Sequence, residues 1–560
     1  MNPNTVCCII SFGHPWLLWF HPLGGYCTRL KPNSQWSFLT FLNSYRCFRA
    51  PQEARSFMAK NIILLSDGTG NSNIKDRGTN VFKLYEAIDL NCSSPKQVAF
   101  YDDGVGTEKF KPIQIVGSAF GFGLAHNVKA LYKHLAQIYT PRDKIFMFGF
   151  SRGAFTVRTL AGFISKEGIL NINQYANDVT LDSAVSYLYE NYRFQNTAFL
   201  EKVLKKLPLP RKKIQTPITY TNEELELEKN DNRLIEFIGV WDTVDAVGLP
   251  FDEATLFWNK FIFRFKFSNR ILHSRVKKAC HALAIDEERS SFHPLLWEND
   301  SRIEQVWFPG VHSNVGGGYP QQGLSLVALD WMMEKAATAG LKFIPTYRQF
   351  VRDQEYAFDK LYDSRSGLGM YYRYKPRNIA EICSANKITT PKIHMSAFQR
   401  IAAGIFGYAP GNFPTNFEMV DNSGTHASAT QISQILNQRL VVAKIIPPTN
   451  NTSPLLAKMK WHICFRKTIY YLFLLYSLWI LRLLIKDYIN HGAGFLSAIK
   501  KLITFDSQPE MLVSLFFRRP LLLILGIFIV YFGLHGRKKM SIFFSEFWSP
   551  LRSKIKAWVP

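Results

Sequence analysis

The sequence predicts an α/β fold with a mostly parallel sheet flanked by helices, followed by a C-terminal helical hairpin suited to a membrane. Three observations predict it. Apolar-rich runs of strand length recur at Asn61–Ser66, Lys144–Phe150, Leu234–Trp241 and Ile303–Phe308. After the second run, Thr156, Leu160 and Ile164 fall on one helical face, and a strand feeding a helix is the repeat unit of parallel sheets. Near the C-terminus, two long apolar segments at 468–485 and 520–534 are bounded by lysine and arginine.

Residues 1–57 hold four of the eight cysteines and Trp16, Trp19 and Trp36, with no basic region leading into a clean apolar core. They read as an irregular N-terminal extension rather than a signal peptide. Met58 stands directly before the first strand-like run and is an alternative start. That run leads into Asp67-Gly68-Thr69-Gly70-Asn71, a glycine-rich turn whose bare backbone can approach a substrate oxygen. The phosphate-cradling pattern Gly-x4-Gly-Lys-Ser/Thr and the dinucleotide fingerprint are both absent at this turn. No metal or organic cofactor is expected.

The run Lys144–Phe150 ends in Gly149-Phe150-Ser151-Arg152-Gly153. This is the Gly-x-Ser-x-Gly pattern of a nucleophile elbow, where a strand turns sharply into a helix and glycines two positions either side of the serine remove clashing side chains. A serine hydroxyl is too weak an acid to attack an ester unaided, so a neutral imidazole must take its proton and a carboxylate must hold that imidazole. In α/β-hydrolases the order is serine, acid, histidine. Asp242 lies just past the run Leu234–Trp241, and His312 follows Ile303–Phe308 in Pro309-Gly310-Val311-His312. Ser151, Asp242 and His312 are therefore the catalytic candidates, with Asp286 and Asp245 as alternative acids. The oxyanion hole is expected from the backbone N–H of Arg152, with Gly68 or Thr69 as the second donor.

Five motifs occur in order: Asp67 through Asn71, Tyr101 through Thr107, Gly149 through Ala154, Gly239 through Thr243, and His312 through Tyr319. Together they resemble the uncharacterised α/β-hydrolase domain family that includes the type VI secretion phospholipase effectors. The resemblance spans about 58 to 345. It implies a Ser-Asp-His hydrolase of phospholipid esters, with Ser151, Asp242 and His312 at the triad positions.

The expected organisation is a catalytic domain at 58–345, a C-terminal part or appendage at 346–457, and a basic membrane-associated region at 458–560. Within the catalytic domain, 170–232 is a charged, proline-punctuated insertion of the kind that forms lids. Phe261, Phe263, Phe265 and Phe267 alternate with Lys260, Arg264 and Lys266, which reads as a half-buried strand or a lipid-facing one. Gly404 to Asn416 is rich in glycine and proline and reads as loop.

At about 1.5 Å per residue, the segments 468–485 and 520–534 are near the lower limit for crossing a hydrocarbon layer of roughly 30 Å. Arg466 and Lys467 precede the first, Arg518 and Arg519 precede the second, and Arg537, Lys538 and Lys539 follow it. From Lys458 onward there are sixteen Lys/Arg against four Asp/Glu, half of the net charge of +24. Such charge beside apolar helices attracts anionic headgroups, whereas a nucleic-acid binder would carry it on a recognisable folded module. Aromatic content of 14% and hydrophobic content of 47% exclude a disordered chain. The eight cysteines show no Cys-x-x-Cys pair and read as reduced thiols. The expectation is a membrane-bound serine ester hydrolase of the phospholipase or lipase class, using an acyl-enzyme. Its alternatives are a non-catalytic platform on a degenerate hydrolase fold and an esterase or thioesterase with a soluble substrate. The string names no protein partner, headgroup, ester position or particular membrane.

Overall fold

Among the described residues, nine strands form one sheet. The computed structural model describes residues 59–68, 78–103, 122–175, 178–196, 217–221, 225, 233–245, 270–426, 428–445, 452–490, 494, 497 and 508–559. The N-terminal extension, Thr69 through Asn71, Gly104 through Thr107, about half of the 170–232 insertion and the alternating phenylalanines lie outside these residues.

The strands are β1 (Asn61–Ser66), β2 (Gln97–Asp102), β3 (Lys144–Phe150), β4 (Ile235–Trp241), β5 (Val276–Ala284), β6 (Ile303–Phe308), β7 (Lys392–His394), β8 (Glu418–Val420) and β9 (Thr425–His426). Their order is β2-β1-β3-β4-β5-β6-β7-β8-β9. All neighbours pair in parallel except β8 with β9. Strands covered on both faces become near-continuous apolar runs, which is why β1 and β3 are legible as short hydrophobic blocks. Side chains alternate across the sheet: Ile62 and Leu64 enter one core, Ile63 and Leu65 the other.

The first core is closed by the helices Phe122–Ile138, Arg152–Glu167 and Asp178–Asn196. The second is closed by Asn80–Ala87 and Gly323–Thr338. The helix Asp178–Asn196 begins the predicted insertion, and its Leu181, Val185, Leu188 and Tyr192 are buried in the first core. That part of the insertion belongs to the body of the protein. Register brings the C-terminal ends of the central strands to one rim, with Phe150 opposite Trp241, Trp241 opposite Ala282, and Ala284 opposite Phe308. Ligand sites of open parallel sheets form just beyond such a rim.

A third core joins β5 to β8 with the end of the chain. Leu283, Trp307, Ile393, Phe398 and Met419 share it with Phe547, Trp548, Leu551 and Ile555. Trp548 is fully buried, and its indole N–H donates to the Pro410 carbonyl at 2.7 Å. The segment 404–416 contains one short turn, Ile405–Gly407, and otherwise loop.

Among the described residues two helices, Lys460–Asn490 and one beginning at Pro520, are long and apolar enough to cross a membrane. Each is longer than the apolar segment inside it, because its polar end packs on the body. Arg466 and Tyr470 are buried at the start of the first helix, and Met540, Phe547 and Trp548 at the end of the second. Between these ends Leu472, Leu475, Leu478, Leu521, Ile524 and Ile527 are exposed, while Ile480 and Leu484 of the first helix and Leu522 of the second share a small core with Leu515 of the intervening helix Gln508–Arg518.

Truncating a fully buried tryptophan to alanine removes contacts worth about 3–5 kcal/mol. Trp548→Ala is therefore expected to lower the denaturation midpoint of the detergent-solubilised protein, reported by probes in the sheet as well as in the tail. A tail that melts first while the sheet transition stays unmoved would contradict this.

Candidate active site

The sharp turn after β3 comes from close approach of backbone. Ser151 has φ 57° and ψ −119°, a left-handed conformation rarely adopted by a residue with a side chain. A Cβ on Gly149 would meet the backbone of Gly153 and Ala154 at 2.6–2.7 Å. One on Gly153 would collide with the carbonyl oxygens of Ser66 and Asp67 at the end of β1. Both glycines of the pattern are thus steric necessities. The turn is tied down by the Ser151 N–H donating to the Trp241 carbonyl at 3.1 Å. The helix Arg152–Glu167 starts immediately, so the Arg152 N–H belongs to a first turn whose donors have no intrahelical acceptor.

Asp242 follows the end of β4 and is fully buried, again with positive φ (38°). His312 opens the short helix His312–Gly316, after a left-handed Gly310. The two meet: the imidazole Nδ1–H donates to Asp242 Oδ2 at 2.6 Å. The His312 ring lies against Phe150, the residue before Ser151, with centroids 4.6 Å apart, and takes the edge of Phe292 at 4.9 Å. The imidazole is therefore beside the elbow, and its orientation is set from three sides. Its own backbone N–H donates to Glu287 Oε2 at 3.2 Å. Glu287 is buried and receives Arg289 in a two-pronged contact at 2.8 and 2.9 Å.

The remaining candidates fall elsewhere. The Asp286 carboxylate accepts from the Gly310 N–H at 2.7 Å and from the Tyr408 hydroxyl at 3.1 Å, while the imidazole Nδ1 meets Asp242. Burial pushes it up to about 7 despite those bonds. Asp245 is exposed, and the position beside the imidazole is taken by Asp242. The Gly68 N–H donates to Asp67 Oδ1 at 2.6 Å and is engaged within its own turn, while Thr69 lies outside the described residues. Asp67 also accepts from the Tyr101 hydroxyl at 2.8 Å and from Thr79, so two of the sequence motifs meet in one network under this turn.

One residue of the site escaped sequence reasoning. Arg377 is fully buried and grips Asp242 with both guanidinium ends, Nη1 to Oδ1 at 2.7 Å and Nη2 to Oδ2 at 2.8 Å. The same two nitrogens also donate to the carbonyls of Ala284 and Phe292, and the Ala284 N–H donates to Asp242 Oδ1 at 3.0 Å. Burial alone would raise the Asp242 carboxyl, but the Arg377 charge and the His312 and Arg377 hydrogen bonds outweigh it and hold the group well below the usual carboxylate range. Burial lowers His312 below the ordinary imidazole value, and Asp242 offsets this in part. With Asp242 ionised, the Nδ1–H tautomer is favoured and Nε2 keeps a lone pair. No sequence signal pointed to Arg377, which lies 135 positions from its partner.

The fold and this arrangement define an α/β-hydrolase-like protein. The family model described as "T6SS, Phospholipase effector Tle1-like, catalytic domain" matches residues 60–335. The chain is also similar to Uncharacterized protein YEL023C of Saccharomyces cerevisiae, 28% identical over 261 residues, covering 44% of this chain and 33% of that protein. The match thus spans about a third of the relative's length. Among solved structures it is similar to an uncharacterized protein from Pseudomonas aeruginosa, with 17% identity, TM-score 0.28, and 72% and 62% of the two chains covered. It is likewise similar to the Tle1 effector bound to the VgrG spike from the Type 6 secretion system, with 13% identity, TM-score 0.31, and 60% and 85% covered.

Removing Arg377 leaves a buried carboxylate without its counter-charge, so Arg377→Met is expected to destabilise by about 3–5 kcal/mol at neutral pH. The sign with pH follows from linkage. The depressed Asp242 group stabilises the native protein above its unfolded value of about 3.9, and that contribution is lost as pH falls toward the folded value. In the variant the folded value rises, so the stability gap between wild type and Arg377→Met should narrow as pH falls through that raised value, where the variant's carboxyl takes up a proton and the wild type's does not. Denaturant titrations at two pH values check this; a gap independent of pH would mean that Arg377 acts by volume alone.

Proposed function

We propose that this chain is a membrane-bound serine hydrolase of lipid esters, of the phospholipase class. The observation that carries the reading is the buried His312–Asp242 contact beside the strained Ser151 elbow, in a segment matching a phospholipase catalytic-domain family. On this reading Ser151 Oγ attacks the ester carbonyl while its proton passes to His312 Nε2. The resulting imidazolium is stabilised by Asp242, whose charge is in turn fixed by Arg377. The oxyanion of the tetrahedral intermediate is met by the Arg152 N–H at the helix start. Collapse expels the alcohol, which takes the proton from His312, and leaves an acyl group on Ser151. Water then enters, gives a proton to Nε2, and releases the fatty acid as Ser151 Oγ regains that proton.

The membrane part of the reading is supported by the two long apolar helices with exposed flanks. Both have their polar ends on the hydrolase body, Arg466 paired with Glu288 at 3.2 Å and Arg537 paired with Asp363. That arrangement supports a hairpin whose two ends lie on the side of the catalytic domain.

Ser151→Ala is expected to reduce hydrolysis of phospholipid and short-chain esters by about a thousandfold or more, and to abolish fluorophosphonate labelling. Absence of turnover and labelling in the wild-type protein would sink the enzyme reading. The base must be neutral to act, and burial lowers His312. The acid limb of kcat/KM should therefore lie below the ordinary imidazole value of about 6.5. Asp242→Asn should lower kcat by about ten-thousand-fold, as expected when the wrong tautomer is held. An acid limb above 7, or an unaffected Asp242→Asn variant, would remove His312 and Asp242 from the mechanism.

A further inference from the structure

The segment 366–377 runs along the first long helix before reaching the active site, and its tip is apolar and uncovered. Arg466 lies over the Tyr374 ring, 3.6 Å from its centroid. One turn further along the helix, the Tyr470 hydroxyl donates to the Tyr371 carbonyl at 2.9 Å. Beyond that, the Tyr371 ring meets Phe473 with centroids 5.0 Å apart, and its hydroxyl reaches Ser477 Oγ at 3.4 Å. From Arg466 to Ser477 the helix rises about 17 Å at roughly 1.5 Å per residue. Half of a hydrocarbon layer is about 15 Å. If Arg466 marks the water side, Tyr371 stands inside the layer.

The local chain suits that position. Between Arg365 and Arg373 the sequence Ser-Gly-Leu-Gly-Met-Tyr-Tyr carries no charge. Leu368 is 79% exposed and Met370 37%, although burial of such side chains is worth about 1.5–3 kcal/mol each. The short helix Gly367–Tyr371 serves its own backbone, with the Gly369 N–H donating to Ser366 at 3.0 Å and the Tyr372 N–H to Gly369 at 3.2 Å. Backbone without internal partners would be excluded from hydrocarbon. The stretch then returns to the site: Tyr372 edges on Phe292 at 5.4 Å, and Phe292 edges on His312 at 4.9 Å.

We propose that the turn Gly367–Tyr371 is a second, non-spanning membrane element, inserted among the acyl chains of the leaflet next to the catalytic domain, which sets the mouth of the Ser151 site at the lipid surface. The inference rests on the membrane reading of the hairpin. A lipid ester then reaches His312 and Ser151 past Tyr372 and Phe292 without leaving the bilayer completely.

The test uses the full-length protein in phosphatidylcholine proteoliposomes whose acyl chains are brominated at mid-chain. Single tryptophans are added by Leu368→Trp in the turn and Leu475→Trp on the exposed face of the hairpin, a position 64% exposed. The added fluorescence relative to wild type should be quenched at both positions. Quenching at 475 but not at 368 overturns the inserted turn and leaves the hairpin reading standing, whereas quenching at neither removes both. In the same vesicles Leu368→Asp with Met370→Asp should lower the ratio of vesicle turnover to monomeric short-chain ester turnover about tenfold. An unchanged ratio counts against the proposal.

Discussion

The buried contact between Arg377 and Asp242 is the constraint on which the site depends. A carboxylate with no exposed surface is expensive to keep ionised, and a neutral one could not hold an imidazole in a single tautomer. A guanidinium with both prongs on the carboxylate supplies charge and geometry together. Its two terminal nitrogens also donate to the carbonyls of Ala284 and Phe292, which ties the end of β5 and the turn that follows around the same carboxylate. His312 is then held by a group that cannot rotate. It is also pressed between Phe150 and Phe292, so burial lowers its proton affinity while Asp242 raises it. On the reading proposed above, those opposed effects leave a base whose neutral form burial favours and whose charged form Asp242 stabilises.

The elbow depends on the sheet in a comparable way. Ser151 keeps an unfavourable backbone conformation because β1, β3 and β4 over-determine it: Gly153 sits against the end of β1, and the Ser151 N–H is tied to the end of β4. Strain of this kind persists only where surrounding structure removes the alternatives. The buried order of strands therefore serves placement of one hydroxyl as much as stability.

Much of this was legible in the chain, and the failures have physical causes. β1 and β3 are covered on both faces, so they appear as apolar blocks, and the elbow appears because its glycines answer a steric demand that no other residue meets. Ser151, Asp242 and His312 could be proposed because each follows a recognisable strand end. Arg377 could not, since it follows Pro376 in a stretch without periodicity and its partner is remote in sequence. β7 and β8 have three residues each and β9 has two, too few for alternation to show. The long helices exceed the apolar runs legible in the sequence because charged residues, Arg466 and Lys467 in the first and Arg537, Lys538 and Lys539 in the second, interrupt the apolar pattern inside the helix. Asp286 was a reasonable acid by position, but whether a carboxylate after a strand faces the imidazole or a tyrosine is decided by packing that no local pattern encodes.

One short stretch outside the family-matched residues 60–335 ties these features together. Tyr371 touches the apolar part of the first long helix, Tyr372 edges on the aromatic wall of the site, Tyr374 stacks on Arg466, and Arg377 fixes Asp242. A displacement of the hairpin relative to the body must move this stretch or break its contacts, and the Asp242 counter-charge lies at its end. The electrostatics of the site and the attachment of the long helices are thus mechanically linked over seven residues. A catalytic domain of one family can be aimed at different surfaces if this linking stretch and the tail change while β3, β4 and β6 stay as they are. On the reading proposed here, what adapts the hydrolase to a membrane is the segment that also completes its charge pair.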